Sequence, residues 1–334
     1  MNKTITLAFE TSCDETSVAI VKGIDTVLSS KTYTQIATHK NYGGVVPEIA
    51  SRMHIEVIDE VLKETLREAQ MNLKDVDTIS VTSGPGLVGA LLVGVSYAKA
   101  LSIATKKPII AVNHMKGHIA SIYISEKIKP PFLALVISGG HTYIIDVLDY
   151  NKFIKLGQTQ DDAVGEAFDK VARVLGYPYP GGQKIEESAL LGEDVYKFPR
   201  VFLEKDKFNF SFSGLKTAVI NEINKMKMKN IEIDRNNISK SFQEAVIDVL
   251  VEKTISAAQK MKRDKIVICG GVSNNNAIFE RISNVGEINS IKVFRPKPCY
   301  TTDNAAMIGV EGNIEYFYNG ASKMDFTADP NLGL

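Results

Sequence analysis

Residues 132–147, Phe132-Leu133-Ala134-Leu135-Val136-Ile137-Ser138-Gly139-Gly140-His141-Thr142-Tyr143-Ile144-Ile145-Asp146-Val147, read as a strand, a small glycine turn and a second strand. Apolar runs of this length on either side of two glycines predict a β-hairpin whose tip exposes backbone N–H groups. The same pattern occurs near the N-terminus. There Ile5 to Phe9 and Ser17 to Val21 flank the polar stretch Glu10 to Thr16. Each hairpin is followed, at a similar spacing, by an apolar strand entering a glycine turn and a helix. The first is Thr78 to Thr82, Ser83-Gly84-Pro85-Gly86, then Leu87 to Ile103; the second is Lys265 to Cys269, Gly270-Gly271-Val272-Ser273, then Asn274 to Ile282. A repeated order of this kind predicts an internally duplicated α/β chain, with a ligand where the two halves face each other.

The intervening segments read as helices. Pro47 to Gln70 starts with proline and glutamate and places Met53, Val57, Ile58, Val61, Leu62 and Leu66 at helical period. Its charged face is either a solvated surface or a partner's docking face. Asp161 to Leu175 and Ser239 to Met261 also read as helical, and Tyr177-Pro178-Tyr179-Pro180-Gly181-Gly182 ends the first.

Composition excludes several classes. With 334 residues, 44% apolar and 23% charged, the chain has room for two domains. Lys+Arg and Asp+Glu are equal at 39 each, so no global field draws it to nucleic acid, and RNA contact needs a local patch or partners. Cys13, Cys269 and Cys299 form no CxxC pair, which argues against a disulfide framework or zinc ribbon and fits a reducing cytosol. The apolar stretch Leu87 to Ala100 carries Gly89 and Gly94 and reads as too short for a membrane span.

Chemistry concentrates in a few places. His114 and His118 stand at i and i+4, so two imidazoles leave one helix face and can grip one cation. The alternative is a pair of satisfied histidines at a domain junction. Asp303, at an apparent helix start, is the candidate third ligand, and two imidazoles with one carboxylate suit iron or zinc in an open site. A zincin is the weakest reading, because Met115 and Lys116 follow His114 where a glutamate base is needed and the inverted form meets Gly117. The turns at Gly84-Pro85-Gly86, Ser138-Gly139-Gly140 and Gly270-Gly271 each follow a strand and suit phosphate, although none is a Walker loop or a dinucleotide fingerprint. Asp162, Glu166 and Asp169 fall near one helix face, facing water or bridged by a cation or ribose hydroxyls. Lys216 is read as a phosphate or RNA contact, or as a surface cap.

Together these motifs resemble the TsaD family, tRNA threonylcarbamoyladenosine transferases. The matching segments are Glu10-Thr11-Ser12-Cys13-Asp14-Glu15-Thr16, Gly43-Gly44-Val45-Val46-Pro47-Glu48, Ser83 to Leu87, Asn113 to His118 and Ser138 to Thr142. Gly165 to Lys170, Tyr179 to Gly182, Ser211 to Lys216, Gly270 to Ser273 and Thr302 to Ala306 extend the match along the whole chain. The resemblance implies an α/β fold of the actin-like, sugar-kinase-like ATPase (ASKHA) type, with two duplicated lobes and a central cleft. The expected lobes are 1–110, on which a C-terminal helix at about 305–334 packs back, and 111–304, carrying the metal and acyl-adenylate site.

It further implies transfer of threonylcarbamoyl from threonylcarbamoyl-AMP to N6 of the adenosine 3′ to the anticodon, in tRNAs reading codons that begin with A. By the resemblance, His114, His118 and Asp303 hold one divalent metal, iron with zinc the alternative. Val136, Ile137, Ser138, Gly139, Gly140, Asp169, Gly182, Glu186 and Asn275 contact the acyl-adenylate or another nucleotide such as ATP; no acid–base residue is identified, and the run Asn274-Asn275-Asn276 leaves the last contact ambiguous by one residue. Val136, where archaeal and eukaryotic relatives offer a tyrosine, marks the bacterial type. The implied partners are tRNA, a TsaB-like paralogue and a TsaE-like ATPase, without a membrane, in the cytoplasm. A sugar or acetate kinase-like phosphotransferase and a non-catalytic nucleotide-binding scaffold are the rival readings; the kinase gives no reason for the histidine pair.

Overall fold

The computed structural model describes residues 3–202 and 207–334. Their contacts form two units, Met1–Lys129 with Pro296–Leu334, and Pro130–Arg295.

In the first unit, β1 (Ile5–Glu10), β2 (Glu15–Lys22) and β3 (Thr26–Thr34) make an antiparallel meander, and β4 (Thr78–Gly84) and β5 (Ile109–Asn113) add in parallel, in the order β3-β2-β1-β4-β5. The short α1 (Ile36–His39) leads to α2 (Pro47–Ala69), which has its proline in the first turn and ends on Gln70 in the left-handed conformation. One face of α2 places Ile58, Val61 and Leu62 in a core with Leu7, Phe9, Val18, Ile20, Ile79 and Val81. Parallel β4 is buried at every position, as a strand covered on both faces must be.

The helix α3 (Val88–Thr105) follows the first glycine turn. At 18 residues it reaches spanning length, further than the sequence reading allowed, and it packs against α2 and β4 with Leu91, Val95 and Ala98 inside. Next come α4 (His114–Ala120) and α5 (Ile122–Ser125).

The second unit repeats the plan. Here β6 (Phe132–Ile137), β7 (Thr142–Asp149) and β8 (Lys152–Gln158) form the meander, and β9 (Lys265–Cys269) and β10 (Lys292–Phe294) add in parallel, in the order β10-β9-β6-β7-β8. Two sheets with one strand order are the duplication in three dimensions. Its helices are α6 (Val164–Val174), α7 (Gly182–Ala189), α8 (Ser213–Met228), α9 (Arg235–Lys260) and α10 (Asn276–Ile288). The core joins Leu133, Leu135 and Ile144 to Phe168 and Phe242, whose rings meet edge to face at 5.0 Å. Fully buried Asp146 on β7 is answered by a two-pronged contact from Arg263, 2.6 and 2.9 Å away.

The last helix, α11 (Ala305–Asn319), returns to the first sheet across β1, β2, β4 and β5. Its glycines permit the approach: a Cβ at Gly309 would stand 2.7 Å from Val21, and one at Gly312 would stand 2.6 Å from Ser80. The division of the chain therefore falls at 129/130 and 295/296 rather than at 110 and 304. The reason is that α4, expected in the second lobe, packs on β4, β5 and α11 and so belongs to the first unit together with Asp303.

Candidate metal centre

The strand β5 ends at Asn113, whose side chain caps α4 by accepting from Met115 N at 2.9 Å and Lys116 N at 3.2 Å. With the helix begun at His114, His114 and His118 share a face, and their rings lie 4.6 Å apart between centroids. Asp303 reaches both: its Oδ1 is 3.4 Å from His114 Nε2 and 3.2 Å from His118 Nε2. Asn304, not Asp303, caps α11 by accepting from Met307 N, which leaves the Asp303 carboxylate for the histidines. One ligand atom from each of the three residues lies within 4.8 Å of the others.

The surroundings fit a divalent cation. His114 Nδ1 is 2.9 Å from Glu10 Oε2, so Nε2 is the nitrogen left for a metal, the carboxylate–histidine arrangement found behind many metal ligands. Glu10 is fully buried and is itself fixed by Thr82 Oγ1 at 2.6 Å and by the amide of Ser12. Both ring nitrogens of buried His118 lack a hydrogen-bond partner among the described residues, although Nε2 lies 3.2 Å from Asp303 Oδ1. A buried nitrogen in that state is costly unless its lone pair is used.

Charge points the same way. Burial opposes the charge on Asp303, but His114 and His118 outweigh it and hold the carboxyl well below its usual range. Burial likewise opposes charge on Glu10, and His114 overrides it, so Glu10 is also lowered. Burial would lower His114, yet Glu10 and Asp303 hold it well above the usual imidazole value; in His118 burial prevails and the ring is held neutral. Two buried carboxylates beside two imidazoles, with His114 drawn toward positive charge by them, make a pocket that favours a cation. Beside it, Glu15 is pushed up to about 10 by burial and by Asp14, and burial raises the Cys13 thiol well above its ordinary value.

In the second unit, Val136 and Ile137 are fully buried in β6, so only their backbones are available to a ligand. Ser138 closes the turn: its amide donates to His141 O at 2.9 Å and its Oγ accepts from His141 N at 3.2 Å. Gly139 and Gly140 are left at an exposed apex where an added Cβ would meet nothing within 4 Å. Asp169 Oδ1 accepts from Gly181 N at 2.7 Å, fixing the turn that opens α7 at Gly182. Glu186, raised by burial, accepts from Asn276 N at 2.7 Å.

Asn275 is committed to structure. Its Oδ1 caps α10 through Ile278 N at 3.0 Å, and its Nδ2 donates to Gln243 at 2.8 Å. The acidic helix face is neutralised rather than repulsive: Asp162 meets Lys170 at 2.9 Å and Lys216 at 2.6 Å, and Lys170 also meets Glu166. Lys216 is thus partnered by a carboxylate. Gly270, at φ +91°, follows β9 so closely beside β6 that a Cβ would stand 2.4 Å from Ile137 O.

The first glycine turn does not match the phosphate expectation. A Cβ on Gly84 would stand 1.9 Å from Asp329 O, and one on Gly86 would stand 2.6 Å from Ser12 O, so the protein's own backbone fills the space. Glu10, which holds His114 Nδ1, was not singled out by motif spacing. In the sequence it is a charge that ends an otherwise apolar strand and opens the segment Glu10 to Thr16.

The family model described as TsaD, tRNA N6-adenosine threonylcarbamoyltransferase, matches residues 26–310. A protein of that name from Clostridium perfringens (strain SM101 / Type A) is 51% identical over 336 residues, covering 100% of this chain and 99% of its own length. Its namesake from Clostridium novyi (strain NT) is 52% identical over 331 residues, covering 98% and 97%. Among solved structures, full-length HypF in its phosphate- and nucleotide-bound form matches with a TM-score of 0.64 at 15% identity, over 96% of this chain and 57% of that one. The Acidaminococcus fermentans (R)-2-hydroxyglutaryl-CoA dehydratase component A matches with a TM-score of 0.55 at 13% identity, over 94% and 99%. At such identities the likeness concerns the fold alone, and the fold is that of the actin-like, sugar-kinase-like ATPases.

Proposed function

The chain belongs to the TsaD family of tRNA N6-adenosine threonylcarbamoyltransferases, and on that premise we propose that it moves threonylcarbamoyl from threonylcarbamoyl-AMP to N6 of the adenosine 3′ to the anticodon in tRNAs reading ANN codons. The observation that carries the metal-assisted form is the gathering of His114, His118 and Asp303 around one point, with Glu10 holding the far nitrogen of His114.

In this reading His114 Nε2, His118 Nε2 and the Asp303 carboxylate hold a divalent cation, iron with zinc the alternative. When bound, it supplies Lewis-acid polarisation to threonylcarbamoyl or phosphate oxygens. The rest falls to the chain itself. Glu10 fixes the orientation and tautomer of His114. The Gly139 and Gly140 amides receive the acyl-adenylate at the exposed apex of the turn. Asp169 and Glu186 serve its ribose and adenine side, with Gly182 and the Asn275 turn shaping the contact. The N6 amine of the tRNA base forms the new N–C bond, the bond from the carbamoyl carbon to the phosphate oxygen breaks, and AMP leaves as the amine loses a proton.

The balanced charge of the chain makes tRNA binding a shared task. The partners proposed are a TsaB-like paralogue and a TsaE-like ATPase, in the cytoplasm. The test combines the chain with these partners, threonylcarbamoyl-AMP and an unmodified tRNA transcript, followed by mass spectrometry of the nuclease digest. Threonylcarbamoyladenosine is expected with the native chain and not with His114→Ala/His118→Ala; modification by that double variant at the native rate would refute the site.

A further inference from the structure

After α11 the chain runs back over the first unit. Ser322 joins β5, its amide donating to Ile109 O at 2.8 Å and its Oγ accepting from Ala111 N at 2.9 Å. Lys99 of α3 then holds Met324 O at 2.9 Å and Phe326 O, with its ammonium 4.3 Å above the Phe326 ring. Beyond Phe326 the segment enters the glycine turn: Asp329 N donates to Ser83 O at 2.8 Å, and Gly86 N donates to Pro330 O at 3.3 Å. The missing side chain at Gly84 is the space in which Asp329 sits.

The segment finishes on the metal helix. Gly333 O accepts from Asn113 Nδ2 at 2.9 Å, and Asn113 is the residue whose Oδ1 caps the first turn of α4. That helix has seven residues and starts on His114. One so short has little stability of its own, and its orientation depends on what holds its end. We propose that residues 328–333 are a positioning strap for the metal helix, holding the Asn113 amide so that the cap, and with it the His114 imidazole, is set for the cation. The strap fills the glycine turn, with Asp329 standing where a Gly84 side chain would be. The proposal rests on the reading of His114, His118 and Asp303 as metal ligands.

The test uses three variants of the full chain: one ending at Asn331, which removes the Gly333 carbonyl, Asn113→Ser, which keeps a cap oxygen but loses the amide donor, and the two combined. Zn²⁺ affinity is read by competition with a chromophoric chelator. Amide exchange at Met115 and Lys116 is read in metal-free protein, with α2 as the internal control. Each single change is expected to weaken Zn²⁺ about tenfold, as loss of an outer-shell partner does. The combination is expected to be no weaker than the poorer single variant, because the Asn113–Gly333 bond is already lost in each. Protection at Met115 and Lys116 is expected to fall while α2 is unchanged.

Unchanged affinity and exchange in the shortened chain, effects that multiply in the combination, or loss of protection spread equally over α2 would each overturn the strap. If the shortened chain does not fold, Asn113→Ser decides by the same two readouts. Failure of the intact chain to bind Zn²⁺ would overturn the metal reading and this proposal with it, whereas unchanged exchange with intact Zn²⁺ binding overturns the strap alone.

Discussion

Glu10→Gln isolates what the buried carboxylate does for the metal helix. In the native protein Glu10 Oε2 receives both His114 Nδ1, at 2.9 Å, and Thr82 Oγ1, at 2.6 Å, while Oε1 receives the Ser12 amide. An amide of the same shape has one accepting oxygen. If it faces His114, its NH₂ is driven against the Ser12 N–H; if it faces Ser12, the His114 N–H loses the side chain at position 10 as acceptor and keeps only Ser12 Oγ, 3.2 Å away. Either way the negative charge that raises the basicity of the imidazole is gone. Outer-shell changes of this kind cost about 10- to 100-fold in metal affinity, roughly 1.4 to 2.8 kcal/mol. The expected loss is about tenfold for Glu10→Gln, where the oxygen can still turn to His114, and about 100-fold for Glu10→Ala. The assay is competition for Zn²⁺ or Fe²⁺ against a calibrated chelator, with thermal unfolding of the metal-free proteins as control. Metal affinity within twofold of native in both variants, with folding intact, would refute the role given to Glu10.

Three other outcomes follow from the geometry. With its folded pKa raised from the ordinary 4.5 to about 10, Glu15 keeps a proton that the unfolded chain loses, so between those values stability falls as pH rises, at up to about 1.4 kcal/mol per pH unit; Glu15→Gln should flatten that slope in urea titrations of chelator-treated protein between pH 5 and 9, and an identical slope in both proteins would sink the assignment. Arg263→Met strands fully buried Asp146 and should cost about 3–5 kcal/mol in denaturant unfolding, a loss under about 1 kcal/mol being the contrary result. Gly165→Ala places a Cβ 2.6 Å from Ser138 O and 2.8 Å from Gly139 Cα, so the 138–140 turn must shift; single-turnover transfer should slow by up to about 100-fold without loss of metal, and an unchanged rate would remove that turn from the substrate site.

What the sequence disclosed depended on period and punctuation. Both hairpins and both strand–turn–helix units are apolar runs ended by glycines, and they stand where the pattern put them. The outer strands β3 and β8 were missed because Thr26–Thr34 and Lys152–Gln158 are edge strands with mixed polar faces, and such strands carry no long apolar run. In α8, Leu215, Val219, Ile223 and Met226 repeat at helical spacing, so that helix too is written in the sequence.

Contacts distant in sequence were not legible. Glu10 meets His114 across 104 residues, and Asn113 meets Gly333 across 220. Nothing local to Gly84-Pro85-Gly86 distinguishes a turn built for phosphate from one built for the chain's own backbone. The histidine pair was legible because four residues is one helical turn, and Asp303 because a carboxylate beside a helix start is a ready ligand, the cap itself falling to Asn304.

The most direct test of the account is metal reconstitution of transfer. Chelator-stripped protein, with its partners, threonylcarbamoyl-AMP and tRNA transcript, is titrated with Fe²⁺ or Zn²⁺ while threonylcarbamoyladenosine is counted by mass spectrometry. The account predicts that activity is lost on stripping, returns as the metal is restored, and does not return in Asp303→Ala. Full-rate transfer by the stripped protein, or equal recovery in Asp303→Ala, would contradict it.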